Sequence, residues 1–192
     1  MTFVSLVPVD STVQGPPHLD PADRTHALDG ATVGLMHNVK PNARELLTLI
    51  SELLSERYPI RPVVGPVRTK HVMLPSDEQL DDMAAACDVV LVGLGDCSSC
   101  SSLSAHMAID FERRGVPAVV VGTKPFEKAV EAMGRRHGYA DIPFAKVEHP
   151  VSSLDTEGLR ARAHEALPQI LNGLGVPTSS SESALSGEVR AG

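Results

Sequence analysis

Two short runs restrict most strongly what this chain can fold into: Val89-Val90-Leu91-Val92 and Ala118-Val119-Val120-Val121. Every position in them is apolar, and each run ends at a glycine. A strand with one wet face alternates apolar and polar residues. A strand covered on both faces does not. The sequence ATVGLM (31–36) has the same character. Helical patterns separate these runs. Between Pro41-Asn42 and Arg57, apolar residues Leu46, Leu47, Ile50, Leu53 and Leu54 recur at the spacing of one helix face.

Further along, Ser76 with Gln79 three residues on has the form of a capping box opening a helix. RPVVGPVR (61–68) reads as a strand broken by Gly65 and Pro66, hence near a sheet edge. Helices are expected over about 99–114 and 125–137, a strand over FAKVEH (144–149), and a last helix capped by Asp155 and running to about Leu174. Alternation of this kind predicts an α/β fold, a Rossmann-like open parallel sheet with helices on both faces. With 3% aromatic residues and no Trp, its core must be built from Val, Leu, Ile and Ala.

At 192 residues there is room for one such domain. Residues 1–29 carry four prolines and no periodicity, and are expected to form an extended arm lying on the domain. The domain itself is placed at 30–175. The Ser/Gly-rich segment 176–192 is expected to be disordered.

A formal charge of -7 without a basic cluster argues against nucleic acid and anionic membranes as partners. No apolar run approaches the roughly 20 residues of a membrane-spanning helix. The opening residues have neither the basic start nor the apolar core of an export signal. Three cysteines, an odd number, do not make a disulfide scaffold, and a reducing cytoplasm is the expected compartment.

In open α/β sheets, sites gather at the carboxyl ends of the strands. Three of these ends are chemically unusual: HNVKPN (37–42), GLGDCSSCSS (93–102) and EHP (148–150). In the second, Gly93 and Gly95 let the chain turn as it leaves the strand. Cys97 then falls where unpaired helix N–H groups and the helix dipole favour an anion, so its thiol is expected to be acidic and nucleophilic. Cys100 is one turn on and on the same side, placed to resolve an adduct or oxidised form of Cys97.

Ser99 and Ser101, with their neighbours, can cap N–H groups or stabilise the thiolate. Two inert, half-buried thiols are the plainer alternative. A structural zinc site lacks its four ligands, so no metal is expected. Cys87 reads as a small buried residue at a helix–strand junction.

His106 and Asp110, four residues apart on the reactive helix, are candidates for orienting a proton donor, or else a surface pair. His37, Asn38, Lys40 and Asn42 bring four polar groups, one of them cationic, to the end of the first strand. They suggest carboxylate binding, against the alternative of a plain loop. His149, before Pro150, is either a proton-transfer group or a loop histidine.

These residues resemble the UGSC-motif (seleno)protein family, in which U is selenocysteine or cysteine. Cys97-Ser98-Ser99-Cys100 aligns with the motif. VGLMHNVKPNA is similar to the family's VGLLDN-x-KPNA, and LVGLGDCSSCSSLSAH, FERRGVPAVVV and VEHP follow in order over roughly 28–172. Ser98 stands for the motif's glycine and His37 for an aspartate. The resemblance extends to the selenocysteine subunits of glycine, sarcosine, betaine and D-proline reductases.

It implies that Cys97 is the nucleophile and Cys100 the resolving thiol. Lys40, with Asn38 or Asn42, would clamp a substrate carboxylate. The expected activity is covalent, reductive chemistry on a small carboxylate-bearing molecule. No tightly bound cofactor is expected, and an external thiol or thioredoxin-like protein is the candidate reductant. A homodimer or a companion subunit is the expected assembly. Disulfide exchange with a protein partner, and a non-catalytic accessory role, remain as alternatives.

Overall fold

A computed structural model describes residues 17–24, 28–68 and 74–176. The expected tail, apart from Val176, and most of the expected arm lie outside these residues. In chain order the elements are β1 (Thr32–His37), α1 (Ala43–Arg57), β2 (Arg61–Arg68), α2 (Asp77–Ala86) and β3 (Val89–Gly95). They continue with α3 (Ser98–Arg113), β4 (Ala118–Thr123), a single 3-10 turn (Lys124–Phe126), α4 (Glu127–Arg136), β5 (Phe144–Val147) and α5 (Thr156–Gly173).

The five strands form one parallel sheet in the order β2-β1-β3-β4-β5. The two fully apolar runs are β3 and β4, both interior, and buried at every residue. Their side chains alternate between two cores. Val89, Leu91, Val119 and Val121 join the layer beneath α1 and α5, while Val90, Val92, Ala118 and Val120 join the layer beneath α2, α3 and α4.

Chirality explains that division. Connections between parallel strands are right-handed. The step from β1 to β2 runs one way along the sheet, and all later steps run the other way. Helix α1 therefore falls on one face and α2, α3 and α4 on the opposite one. The sheet would be bare beside α1 if α5 did not return to that face, where it packs against α1. Burying Leu46, Leu47, Ile50 and Leu54 of α1 contributes about 1.5–3 kcal/mol per side chain.

Local signals hold where the chain enters its helices. Ser76 Oγ accepts from Gln79 N at 3.3 Å while Gln79 Oε1 accepts from Ser76 N at 3.1 Å. Asp155 Oδ1 accepts from Gly158 N at 2.9 Å at the start of α5. Strand β2 is one of the two edge strands, and its register against β1 slips twice. The last strand is shorter than FAKVEH suggests, because Glu148 and His149 leave the sheet ahead of Pro150.

The described part of the N-terminal segment, residues 17–24, lies along the domain. Leu19 N donates to Gly138 O at 2.9 Å. Gly138, at φ +75°, lies under this segment, and a Cβ there would sit 2.1 Å from Pro17 O. The carboxylate of Glu112, fully buried near the end of α3, accepts from Ala22 N (2.8 Å), Ala118 N (2.9 Å) and the Arg24 guanidinium. Arg24 also donates to Gly173 O (2.8 Å) and Tyr139 Oη (3.1 Å).

Removing one partner of a buried pair leaves the other charge uncompensated. Glu112→Ala is therefore expected to lower the unfolding free energy by about 3–5 kcal/mol in urea denaturation. A loss below about 1 kcal/mol would show that the clasp adds little.

Candidate functional site

The strand order reverses direction between β1 and β3, which leaves a crevice beyond their carboxyl ends. Both sequences singled out at these ends fall there. On the β1 side, His37 is buried and its Nδ1 donates to Asn38 O at 2.8 Å. Asn38 spans the crevice floor. Its N donates to Gly93 O and its Nδ2 to Leu94 O, both at 2.8 Å, while its Oδ1 accepts from Lys40 N at 3.1 Å.

Asn42, at φ 65°, precedes α1, and its Nδ2 donates to Val151 O and Leu154 O, each at 2.9 Å. Asn42 thus commits both amide protons to the loop after β5, and Asn38 commits one amide proton to Leu94 O. With both of its donors taken, Asn42 ties α1 to the loop after β5 instead of clamping a carboxylate, while Asn38 sets where Lys40 stands. A groove of about 360 Å³ opens here, lined among others by His37, Lys40, Arg44 and Glu45.

On the β3 side, backbones come unusually close. A Cβ on Gly122 would lie 2.8 Å from Gly95 O, and one on Gly95 would lie 2.8 Å from Ser101 Oγ. These two glycines let β4 and the first turn of α3 close over the end of β3. Cys97 is consequently the N-cap of α3, with extended backbone (φ -163°, ψ 165°). Its Sγ accepts from Cys100 N at 3.3 Å and lies 3.4 Å from Ser99 Oγ.

The two thiols are driven apart in acidity. Burial opposes ionisation of Cys97. Hydrogen bonds from the Cys100 thiol, Ser99 Oγ and Cys100 N, with the charge of Lys40, outweigh it and hold the Cys97 thiol below its ordinary value. Burial, and then the hydrogen bond and negative charge of Cys97, push Cys100 up to about 11. Cys97 is thus the more acidic thiol of the pair, and Cys100 the one that holds its proton. Cys87, buried against Gly34 and Met83, is pushed up to about 11 by burial and by Asp88.

The remaining expected residues divide. Ser99 reaches Cys97, whereas Ser101 is fully buried under the turn, with its Oγ 2.8 Å from where a Gly95 Cβ would be. It packs against the strand end, with its Oγ buried and without a hydrogen-bond partner among the described residues. His106 is not brought to the thiols. It lies six residues beyond Cys100, about 9 Å along the helix and turned to another face. There it meets Asp110 at 3.6 Å and makes a tilted ring contact with His137, centroids 4.7 Å apart.

His149 does reach the strand ends, and there it meets residues not singled out from the sequence. Its Nδ1 is 2.9 Å from Asp96 Oδ1 and 3.2 Å from Thr123 Oγ1. Asp96 also accepts from Ser152 Oγ (2.5 Å), Ser152 N (3.1 Å) and Val151 N (3.4 Å). Burial works against its charge, yet these bonds and His149 hold its carboxyl below the usual range. A charged residue between Gly95 and Cys97, at the end of a fully apolar strand, was the available signal. Among the described residues, no group of three or more His, Cys, Asp or Glu side chains could hold a metal ion, and no helix is long and apolar enough to cross a membrane.

A doubly wound α/β sheet carrying an acidic thiol and a protonated one at its switch point defines a protein with a thiol-based role. The chain belongs to the UGSC family, whose model matches residues 5–176. No curated protein matches the chain.

The split between the thiols is directly measurable. With the reduced protein, iodoacetamide is expected to modify Cys97 at pH values where a free thiol, with its pKa of about 8.5, is still mostly protonated. Cys100 is expected to react only as pH approaches 11. Lys40→Met should move the Cys97 midpoint upward, because the stabilising cation is gone. Equal labelling of both thiols at all pH values would contradict the assignment.

Proposed function

We propose that the protein is an enzyme that uses Cys97 for covalent, reductive chemistry on a small carboxylate-bearing substrate. The observation that carries this reading is the division of labour in the pair. An N-cap thiol whose acidity is raised by the Cys100 N–H, Ser99 Oγ and Lys40 stands beside a thiol pushed up to about 11. Lys40, whose charge reaches both thiols, and Arg44, which lines the same groove as Lys40, supply cationic groups for a carboxylate. Family membership supports the reactive role of the first motif position.

The chemistry balances as follows. The Cys97 thiolate attacks the carbon next to the carboxylate. A C–S bond forms, and the leaving group departs with the electron pair of its bond to that carbon. Cys100 then attacks Cys97 Sγ. The S–S bond forms, the C–S pair passes to carbon, and carbon takes the proton that Cys100 releases. The substrate gains two electrons, the dithiol becomes a disulfide, and an external thiol reduces it again. A kinship with the reductase selenoprotein subunits would supply an amine as the leaving group.

Disulfide exchange with a protein partner is the second reading, favoured by the partial exposure of both thiols on the outer turn of α3. It needs no small substrate.

Screening small 2-amino and 2-hydroxy acids with an excess of external thiol tests the first reading. Cys97→Ser is expected to abolish turnover. Cys100→Ser is expected to accumulate an adduct on Cys97, visible as added mass on the intact chain. Full turnover by Cys97→Ser would end the proposal. Reduction of protein disulfides with no turnover of any small acid would favour the second reading.

A further inference from the structure

The polar cluster behind Cys97 has a direction that follows from its donors and acceptors alone. An ionised carboxylate only accepts hydrogen bonds, so at 2.9 Å from Asp96 Oδ1 the Nδ1 of His149 must be the donor. A backbone carbonyl also only accepts, so the Thr123 hydroxyl donates its single proton to Gly95 O at 3.2 Å. Thr123 Oγ1 is then left as an acceptor towards the same His149 Nδ1–H, 3.2 Å away.

No member of the chain can be reversed without placing two acceptors or two donors face to face. His149 therefore keeps its proton on Nδ1 whether the ring is neutral or charged. Nε2 is the nitrogen that gains and loses a proton. The Asp96 side chain is 3% exposed, while that of His149 is 40% exposed, so the anchoring end is buried and the working end is open. The ring edge is further set by a T-shaped contact with Phe126, centroids 5.6 Å apart.

Asp96 is the residue immediately before Cys97, and both stand at the turn from β3 into α3. The carboxylate that fixes the imidazole thus belongs to the same turn that presents the nucleophile. A buried carboxylate that orients a histidine is an arrangement by which a proton is delivered from a fixed nitrogen, and the adjacency of Asp96 and Cys97 in the chain brings that histidine to the strand end that carries the thiol.

We infer that His149, oriented by Asp96 and Thr123, is the proton donor to the group displaced by Cys97, acting through Nε2. This rests on the proposed nucleophilic role of Cys97. As the thiolate forms its bond to carbon, the bond to the leaving atom breaks and its electron pair goes to that atom. The Nε2 proton passes to that atom, leaving neutral His149 with Nδ1–H still on Asp96. Water restores the Nε2 proton. Asp96 and Thr123 are positioning residues, and His149 is the catalytic one.

Two carboxylate-bearing electrophiles test it, both read as the rate of Cys97 modification by peptide mass mapping. Iodoacetate expels iodide, which needs no proton. Glycidate opens an oxirane, whose oxygen leaves as an alkoxide and does need one. His149→Gln is expected to leave the iodoacetate rate within about two-fold and to slow glycidate by about 100-fold or more, the usual scale of a positioned general acid. Equal slowing of both probes, or of neither, would overturn the role of His149. Failure of both probes to modify Cys97 in the unaltered protein would instead overturn the nucleophile.

The orienting role has its own readout, which does not depend on turnover or on whether Asp96→Asn folds. In nitrogen NMR of the full chain with labelled histidine, assigned by the signals missing from His149→Gln, the neutral ring is expected as the Nδ1–H tautomer. An Nε2–H tautomer would overturn the assignment of Asp96 and Thr123.

Discussion

Right-handed connection of parallel strands is the constraint from which the rest of this molecule follows. Once β2 is laid on one side of β1 and β3 on the other, the helices must divide between the faces and the loops after β1 and β3 must diverge. The divergence creates a cleft with a floor of backbone carbonyls and a wall formed by the start of α3. Gly93 and Leu94 offer their carbonyls to Asn38 across this cleft, which keeps it from opening further. The place of Cys97 is thus set by topology before any side-chain chemistry enters.

Much of this was legible in the sequence because the two interior strands are so uniformly apolar. Runs such as Val89–Val92 admit few environments, and Cys97 follows one of them after a fixed number of residues. The capping signals of Ser76 and Asp155 worked for the same reason: each is a local hydrogen bond that needs no distant partner. For His106 the surface pair with Asp110 is what the structure shows, and helical spacing could not reveal the ring of His137, which arrives from the end of another helix. Asn38 and Asn42 were rightly placed at the strand end. That their amides are consumed by Leu94, Val151 and Leu154 depends on segments more than fifty residues away.

Asp96 marks the limit of such reading. Its four partners come from the loop after β5, and nothing local in that loop signals an acceptor at the end of β3. A carboxylate in this position would be costly if left alone, since burial disfavours its charge. It is stabilised because Val151 and Ser152 turn their N–H groups toward it. The same bonds hold the loop that Asn42 grips from the other side. Loops after β1, β3 and β5 are thereby tied into one polar assembly around the thiol pair.

Helix α3 carries one further consequence. It is a rod of about 24 Å, from 16 residues at 1.5 Å each, with Cys97 at its tip and Glu112 near its foot. The foot is clamped by Arg24 and by the backbone of Ala22, both from the segment that precedes the sheet. A rod held at its base transmits tilt to its tip. Arg24 and Ala22, at the opposite end of the helix from the thiols, thus fix the base of the rod whose tip carries Cys97.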